Sequence, residues 1–130
     1  ERYVQQALTA YRKTRDTVRI FCDGEDVELQ PQQILYAEMS ARKVCLHLQG
    51  GDRALLYTTA TMADLADLLE NHGFVRTHKS ILVNMEHIRD LQSTRLYLRD
   101  GTELPVSSHT ASAVRKIYTQ WRSAKKWVIG

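Results

Sequence analysis

The segment FVRTHKSILVNMEHI, residues 74–88, sets Arg76, His78, Lys79 and Ser80 beside the apolar run Ile81-Leu82-Val83 and the amide Asn84. Such a set could form a catalytic pocket, a metal site, an anion or nucleic-acid surface, or a well-satisfied strand end. A serine nucleophile at Ser80 with His78 as base would also need an orienting acid, and the chain has no Gly-x-Ser-x-Gly elbow. Cys45 and His47 stand two residues apart, but no matched second pair completes a metal-ligand set. The cysteines, Cys22 and Cys45, are far apart in strand-like runs, which predicts buried, reduced thiols. Neither a Walker nor a Rossmann glycine pattern is present, and Glu25-Asp26 sits beside a turn where solvated acids are expected. These residues predict no enzyme and no cofactor or metal.

At 130 residues the chain is long enough for about one domain with a core, and its 43% hydrophobic and 25% charged content is that of a folded protein. No apolar run approaches the roughly 20 residues that span a bilayer, and a cytoplasmic location is expected. The first residue is Glu1, which suggests a piece of a longer protein. Net charge is +3, unevenly spread: residues 1–75 hold 8 Lys/Arg against 11 Asp/Glu, whereas 76–130 hold 10 against 4. The sign changes at the segment just described. Either a polyanion-facing side or a solvated basic face would give this asymmetry.

Val4, Ala7, Leu8 and Tyr11 recur at helical spacing ahead of the basic cluster Arg12-Lys13-Thr14-Arg15. This predicts a linker helix and basic joint over 1–16, with a docked helix as the alternative. From Thr17 the period becomes two. TVRIFCDGEDVEL predicts a hairpin on Asp23-Gly24, where both central residues need positive φ. A strand is expected over ILYAEM after Pro31, then a hairpin over KVCLHLQGGDRALLYTT with its turn at Gly50-Gly51. RLYLRDGTELPV predicts a further hairpin that turns at Asp100-Gly101. Two helices interrupt the strands. Thr61 and Asp64 suggest a cap for a stripe of Met62, Leu65, Leu68 and Leu69, with Gly73 as the stop. Ser107, Ser108 or Thr110 can cap a helix that turns Val114, Ile117, Tyr118 and Trp121 inward and Arg115, Lys116 and Arg122 outward. The fold class expected is mainly β, in antiparallel sheets with short helices: a domain over 17–122 and a C-terminal tail over 123–130.

The same segment resembles the signature of the LytTR DNA-binding domain, the output domain of LytR/AlgR-family response regulators. That pattern, Phe-x-Arg-x-His-x-Ser-x-x-Val-Asn, is matched by Phe74, Arg76, His78, Ser80, Val83 and Asn84. DGTELPVS is similar to the family's Gly-x-x-hydrophobic-Pro-Val-Ser block at Gly101, Leu104, Pro105, Val106 and Ser107. ILYAEMSARKVCLHL resembles its strand–loop–strand opening. The resemblance implies elongated antiparallel sheets and sequence-specific binding of duplex DNA by loops. Three segments would face DNA: Ser40 to Lys43, His78 to Ser80, and Ser108 to Thr110. Among their residues Arg42, Lys43 and Lys79 are isolated loop cations with little structural use. Arg76 could pair with an acid or touch DNA, and Lys116 flanks the set on a helix. Asn84 suits a turn better than a DNA contact. Where the family commonly has Arg after the Pro-Val-Ser serine, this chain has Ser108 and then His109. The resemblance also implies a receiver or sensor domain upstream, with a membrane-anchored or free-standing arrangement as the alternative; the small contact of one module predicts two copies on a direct or inverted DNA repeat. The rival reading is a β-rich protein-interaction module that binds no nucleic acid; RNA is disfavoured because Tyr36, Tyr57 and Tyr97 are scattered.

Overall fold

The computed structural model describes residues 17–50 and 55–129, with side chains described to residue 124. The expected helix and basic joint over 1–16 lie outside these residues, as does most of the turn after Gly50. Ten strands and two α-helices follow in the order β1 (Val18–Cys22), β2 (Glu25–Leu29), β3 (Ile34–Ser40), β4 (Lys43–Leu48), β5 (Leu55–Thr58), α1 (Met62–Leu69), β6 (Phe74–His78), β7 (Ile81–Asn84), β8 (Ile88–Leu91), β9 (Arg95–Leu98), β10 (Glu103–Pro105) and α2 (Ala111–Ile129). They form a seven-stranded sheet of order β2-β1-β5-β4-β3-β7-β6 and a three-stranded sheet, β10-β9-β8. Every strand pairing is antiparallel. The expected class, mainly β and antiparallel, is the observed one.

Local signals act as the sequence suggests at most turns. Asp23 and Gly24 take φ of 49° and 88°, and Cys22 pairs with Glu25 across them. The β9–β10 connection turns with Gly101 at φ 95°, and Asp100 accepts from the Thr102 N–H at 2.9 Å. Those hydrogen bonds hold the Asp100 carboxyl below its usual range. Thr61 caps α1 through an Asp64 N–H donated to Oγ1 at 3.0 Å. Pro31 begins a short 3-10 turn, Pro31–Gln33, just before β3. Its missing N–H is an orphan at that position in any case.

The large sheet is covered on both faces. On one, Ile20, Cys22, Ile34, Val44, Leu46 and Leu82 pack on Met62, Leu65 and Leu69 of α1. On the other, Tyr36, Ile81 and Val83 meet Ile88, Leu96, Leu98 and Leu104 of the small sheet and Val114 of α2. Burial on both faces explains the unbroken apolar run of β7, since alternation is required only where one face meets water. Both free thiols are buried, and burial pushes Cys22 up to about 11.

Two expected core positions are not core. Leu68 and Ile117 are 40% and 42% exposed, because each lies at the margin of its helix's buried stripe, beyond reach of the sheet. His87 is 9% exposed and donates Nε2–H to the Gln32 carbonyl at 2.8 Å. Segment 123–129, expected as a tail, continues α2. Asn84 is 2% exposed; its Nδ2 donates to the carbonyls of Pro31 and Ile34 at 3.2 and 2.9 Å, and its Oδ1 accepts from the Glu86 N–H. It ties two short 3-10 connections to the sheet and has no surface with which to meet DNA.

Gly73 joins α1 to β6 at φ 85°, and a Cβ there would sit 2.9 Å from Trp121 Nε1 of α2. Left-handed backbone alone costs a side chain about 1–2 kcal/mol, and the contact with the indole adds to it. Gly73→Ala should lower unfolding stability by about 2 kcal/mol or more, read from urea denaturation followed by tryptophan fluorescence.

Candidate nucleic-acid interface

The three segments singled out in the sequence all lie at one end of the strands. Ser40 and Lys43 pair across a two-residue turn, Ala41-Arg42, that ends the β3–β4 hairpin. His78 and Ile81 pair across Lys79-Ser80 at the end of β6–β7. β3 and β7 are neighbours, and the Met39 N–H donates to the Ser80 carbonyl at 3.0 Å. That bond sets the first turn beside the second.

Thr77 holds the third. The β6–β7 register slips between Arg76 and His78, which leaves Thr77 as the extra residue of a bulge. Its side chain is fully buried, and Oγ1 donates to the Pro105 carbonyl at 3.1 Å. Its carbonyl accepts from the Ser107 N–H at 2.8 Å and from Thr110 Oγ1 at 3.2 Å. The backbone entering α2 is thereby fastened to the edge of β6. Within it, the His109 N–H donates to Ser107 Oγ at 3.2 Å, which folds residues 107–109 into a tight polar turn.

The side chains divide by task. Arg42, Lys43, Lys79, Ser108, His109 and Lys116 are exposed. Among the described residues the ion pairs are His47–Glu38 and Arg95–Glu103, so none of these cations is paired with an acid. Arg76 is also exposed, but its Nη2 donates to the Lys79 carbonyl at 2.6 Å. It staples the turn rather than pairing with an acid. His78 and Ser80 are half-buried and meet across the turn that joins β6 to β7. The Ser80 N–H donates to His78 Nδ1 at 3.2 Å, and Ser80 Oγ lies 2.9 Å from the same nitrogen. An accepting Nδ1 puts the ring proton on Nε2. The pair orders the turn that carries Lys79; no acid stands behind it to complete a nucleophilic triad.

Two features of the site are not readable as local motifs. Ala41 takes φ 56°, a left-handed conformation costing about 1–2 kcal/mol for a residue with Cβ; neither Gly nor Asn marks the spot. Thr77 is a polar residue at a core position, and its only signal was that mismatch. Elsewhere, His47 stacks on Tyr36 at 4.0 Å and contacts Glu38 at 3.1 Å. No cluster of three or more possible metal ligands occurs among the described residues, and no described helix is long and apolar enough to cross a membrane.

A sheet end that gathers three hydrogen-bonded polar turns, two of them with exposed cations that no described acid pairs, defines a class. The family model of the LytTr DNA-binding domain matches residues 24–119, and the chain belongs to that family. It is similar to the sensory transduction protein LytT of Bacillus subtilis (strain 168), at 31% identity over 137 residues. The match spans 90% of this chain and 55% of LytT. Among solved structures it superposes on a LytTr DNA-binding domain from Bacillus cereus with a TM-score of 0.66 at 24% identity, over 78% of this chain and 94% of that one. The fold is therefore shared with that domain.

His78→Ala removes the acceptor for the Ser80 N–H while leaving Lys79 in place. The Ser80 amide should then exchange with solvent at least several-fold faster, and DNA affinity should fall with the loss of order in the turn. An unchanged exchange rate would show that Arg76 alone orders the turn.

Proposed function

We propose that this domain binds duplex DNA sequence-specifically through Ser40–Lys43, His78–Ser80 and Ser108–Thr110, entering the major groove as part of a transcriptional regulator. One observation carries the reading: the Met39–Ser80 and Thr77–Ser107 backbone bonds align three exposed polar segments that are far apart in sequence, two of them bearing Lys or Arg. Loop cations without acids have no evident structural work, and Arg or Lys can meet guanine O6 and N7 in that groove. The N-terminus of α2 opens beside the third segment, where its unbonded N–H groups favour phosphate. Lys116, in the early turns of α2, is positioned for the backbone; where the family commonly has Arg this chain has Ser108, and His109 is the next group along that could replace that contact. The regulator's other half would be a receiver or sensor domain upstream of residue 17, since this chain matches about half the length of LytT.

If about six phosphates are neutralised, log K should fall with log[salt] at a slope of about −5. Lys79→Ala and Arg42→Ala should each weaken the preferred site by about 1–3 kcal/mol, whereas Lys116→Ala should weaken all sequences alike and flatten the slope by about one. A selection from random duplexes supplies the site. A slope near zero, or equal binding to DNA and an acidic protein, would point to a protein-interaction module instead.

The specific energy of so small a contact is limited, so two copies are expected on one repeat-containing site, spaced by about one helical turn of 10–10.5 base pairs or a multiple. The described chain carries no coiled-coil heptad. Sedimentation should show a monomer at micromolar concentration without DNA. Inserting five base pairs between the repeats turns the second half-site to the opposite face and should abolish cooperativity. A stable DNA-free dimer, or indifference to the insertion, would refute the pairing.

A further inference from the structure

The β8–β9 turn lies at the same end of the fold as the three candidate segments. Pro105 pairs with Arg95, and the next N–H, that of Val106, donates to the Thr94 carbonyl at 3.0 Å. One residue further, the Ser107 N–H reaches Thr77. The exposed turn Gln92-Ser93-Thr94, closed by the Gln92 N–H on the Arg95 carbonyl at 2.8 Å, therefore follows Ser108–Thr110 in a row. It stands on the side away from Ser40–Lys43. The backbone bonds from Ser80 to Met39, Ser107 to Thr77 and Val106 to Thr94 link the segments in that order, and this turn marks one end of the set.

Beside the turn a cleft of about 400 Å³ opens between β8 and α2, lined by Arg89, Asp90, Leu91, Arg115, Tyr118 and Arg122 among others. An adjoining cleft of about 330 Å³ adds Arg99. The Arg89 guanidinium lies 5.8 Å over the Tyr97 ring and that of Arg122 lies 5.6 Å over Tyr118. A cation–π contact of this kind uses the charge without consuming the N–H groups, which stay available to an anion. None of Arg89, Arg115 and Arg122 ion-pairs with an acid among the described residues. The one carboxylate in the cleft, Asp90, accepts from Gln92 Nε2 at 3.0 Å. Three guanidiniums against one carboxylate, continuous with the end of the row, fit a repeating phosphodiester better than a single small anion.

We propose that the DNA track continues past the three segments, over Gln92–Thr94 and into this arginine-lined cleft, which holds phosphates of the duplex flanking the site on one side only. The inference rests on the DNA-binding reading above, and its test separates the two. The 130-residue chain is titrated with a single half-site of the selected sequence alone, and with that half-site extended by about one helical turn on the left or on the right. Extension on one side should tighten binding several-fold, and extension on the other should not. In the Arg89→Gln/Arg122→Gln double variant the gain should vanish and the salt slope on the extended duplex should flatten by about two, at roughly 0.9 per phosphate. Affinity for the short duplex should be unchanged. The charge-keeping Arg89→Lys/Arg122→Lys pair should recover most of the slope. If the double variant unfolds, Arg122→Gln alone should remove about half the change. A wild-type chain that binds the short duplex tightly but gains nothing from either flank, or equally from both, overturns the inference and leaves the three-segment reading intact. A gain that survives in the Gln variant does the same. Failure to bind any duplex overturns both.

Discussion

The hydroxyl and carbonyl of Thr77 are buried at the edge of the large sheet, where an unpaired polar group would cost about 1–3 kcal/mol. Both find partners only on the chain that enters α2: Pro105, Ser107 and Thr110. This requirement settles much else. It puts a bulge in β6, it brings the small sheet against β6, and it fixes the start of α2 beside the Lys79 turn. Val75, one residue before, packs in the second core cluster with Leu104 and Val106, so apolar burial and polar pairing act at the same seam. Hydrophobic contact draws the two sheets together, and the hydrogen bonds choose their register.

A surface that must meet a polyanion displays charge, and displayed charge does little to hold a fold together. Here the difficulty is met by dividing labour within one motif. Arg76 and His78 bond to the backbone of the turn that follows them, while Lys79 between them stays exposed and without an acid. The guanidinium and imidazole thus order a loop cation instead of competing with it. In the neighbouring hairpin the same rigidity has a cost: Ala41 at φ 56° stores strain where Arg42 is presented.

Asn84 and His87 do for the connections what Thr77 does for the seam. Each satisfies carbonyls of the 31–34 segment from inside the core. No buried side-chain nitrogen or oxygen among the described residues lacks a partner. Complete pairing of buried polar groups allows so small a domain to keep its candidate contact turns stiff.

Periodicity of two and the Asp-Gly pairs made the hairpins legible from the sequence, because those signals depend only on neighbours along the chain. The Phe74-to-Asn84 signature made the family legible, and Thr61 and Gly73 marked the ends of α1 and its trailing turn. The burial of Leu68 and Ile117 was misjudged from the same kind of pattern, since helical spacing defines a face but not how far the partner sheet extends beneath it. Pairing between strands decided the rest. That Ser40, Ser80 and Ser107 come to one end of the molecule depends on Met39 meeting Ser80 and Thr77 meeting Ser107, contacts about 30 or more residues apart. The role of Arg76 depended on a bulge that no residue type announces. The sequence by itself determined which residues could bond; only the assembled sheets determined which of them bond within the fold and which cations stay exposed without a described acid beside them.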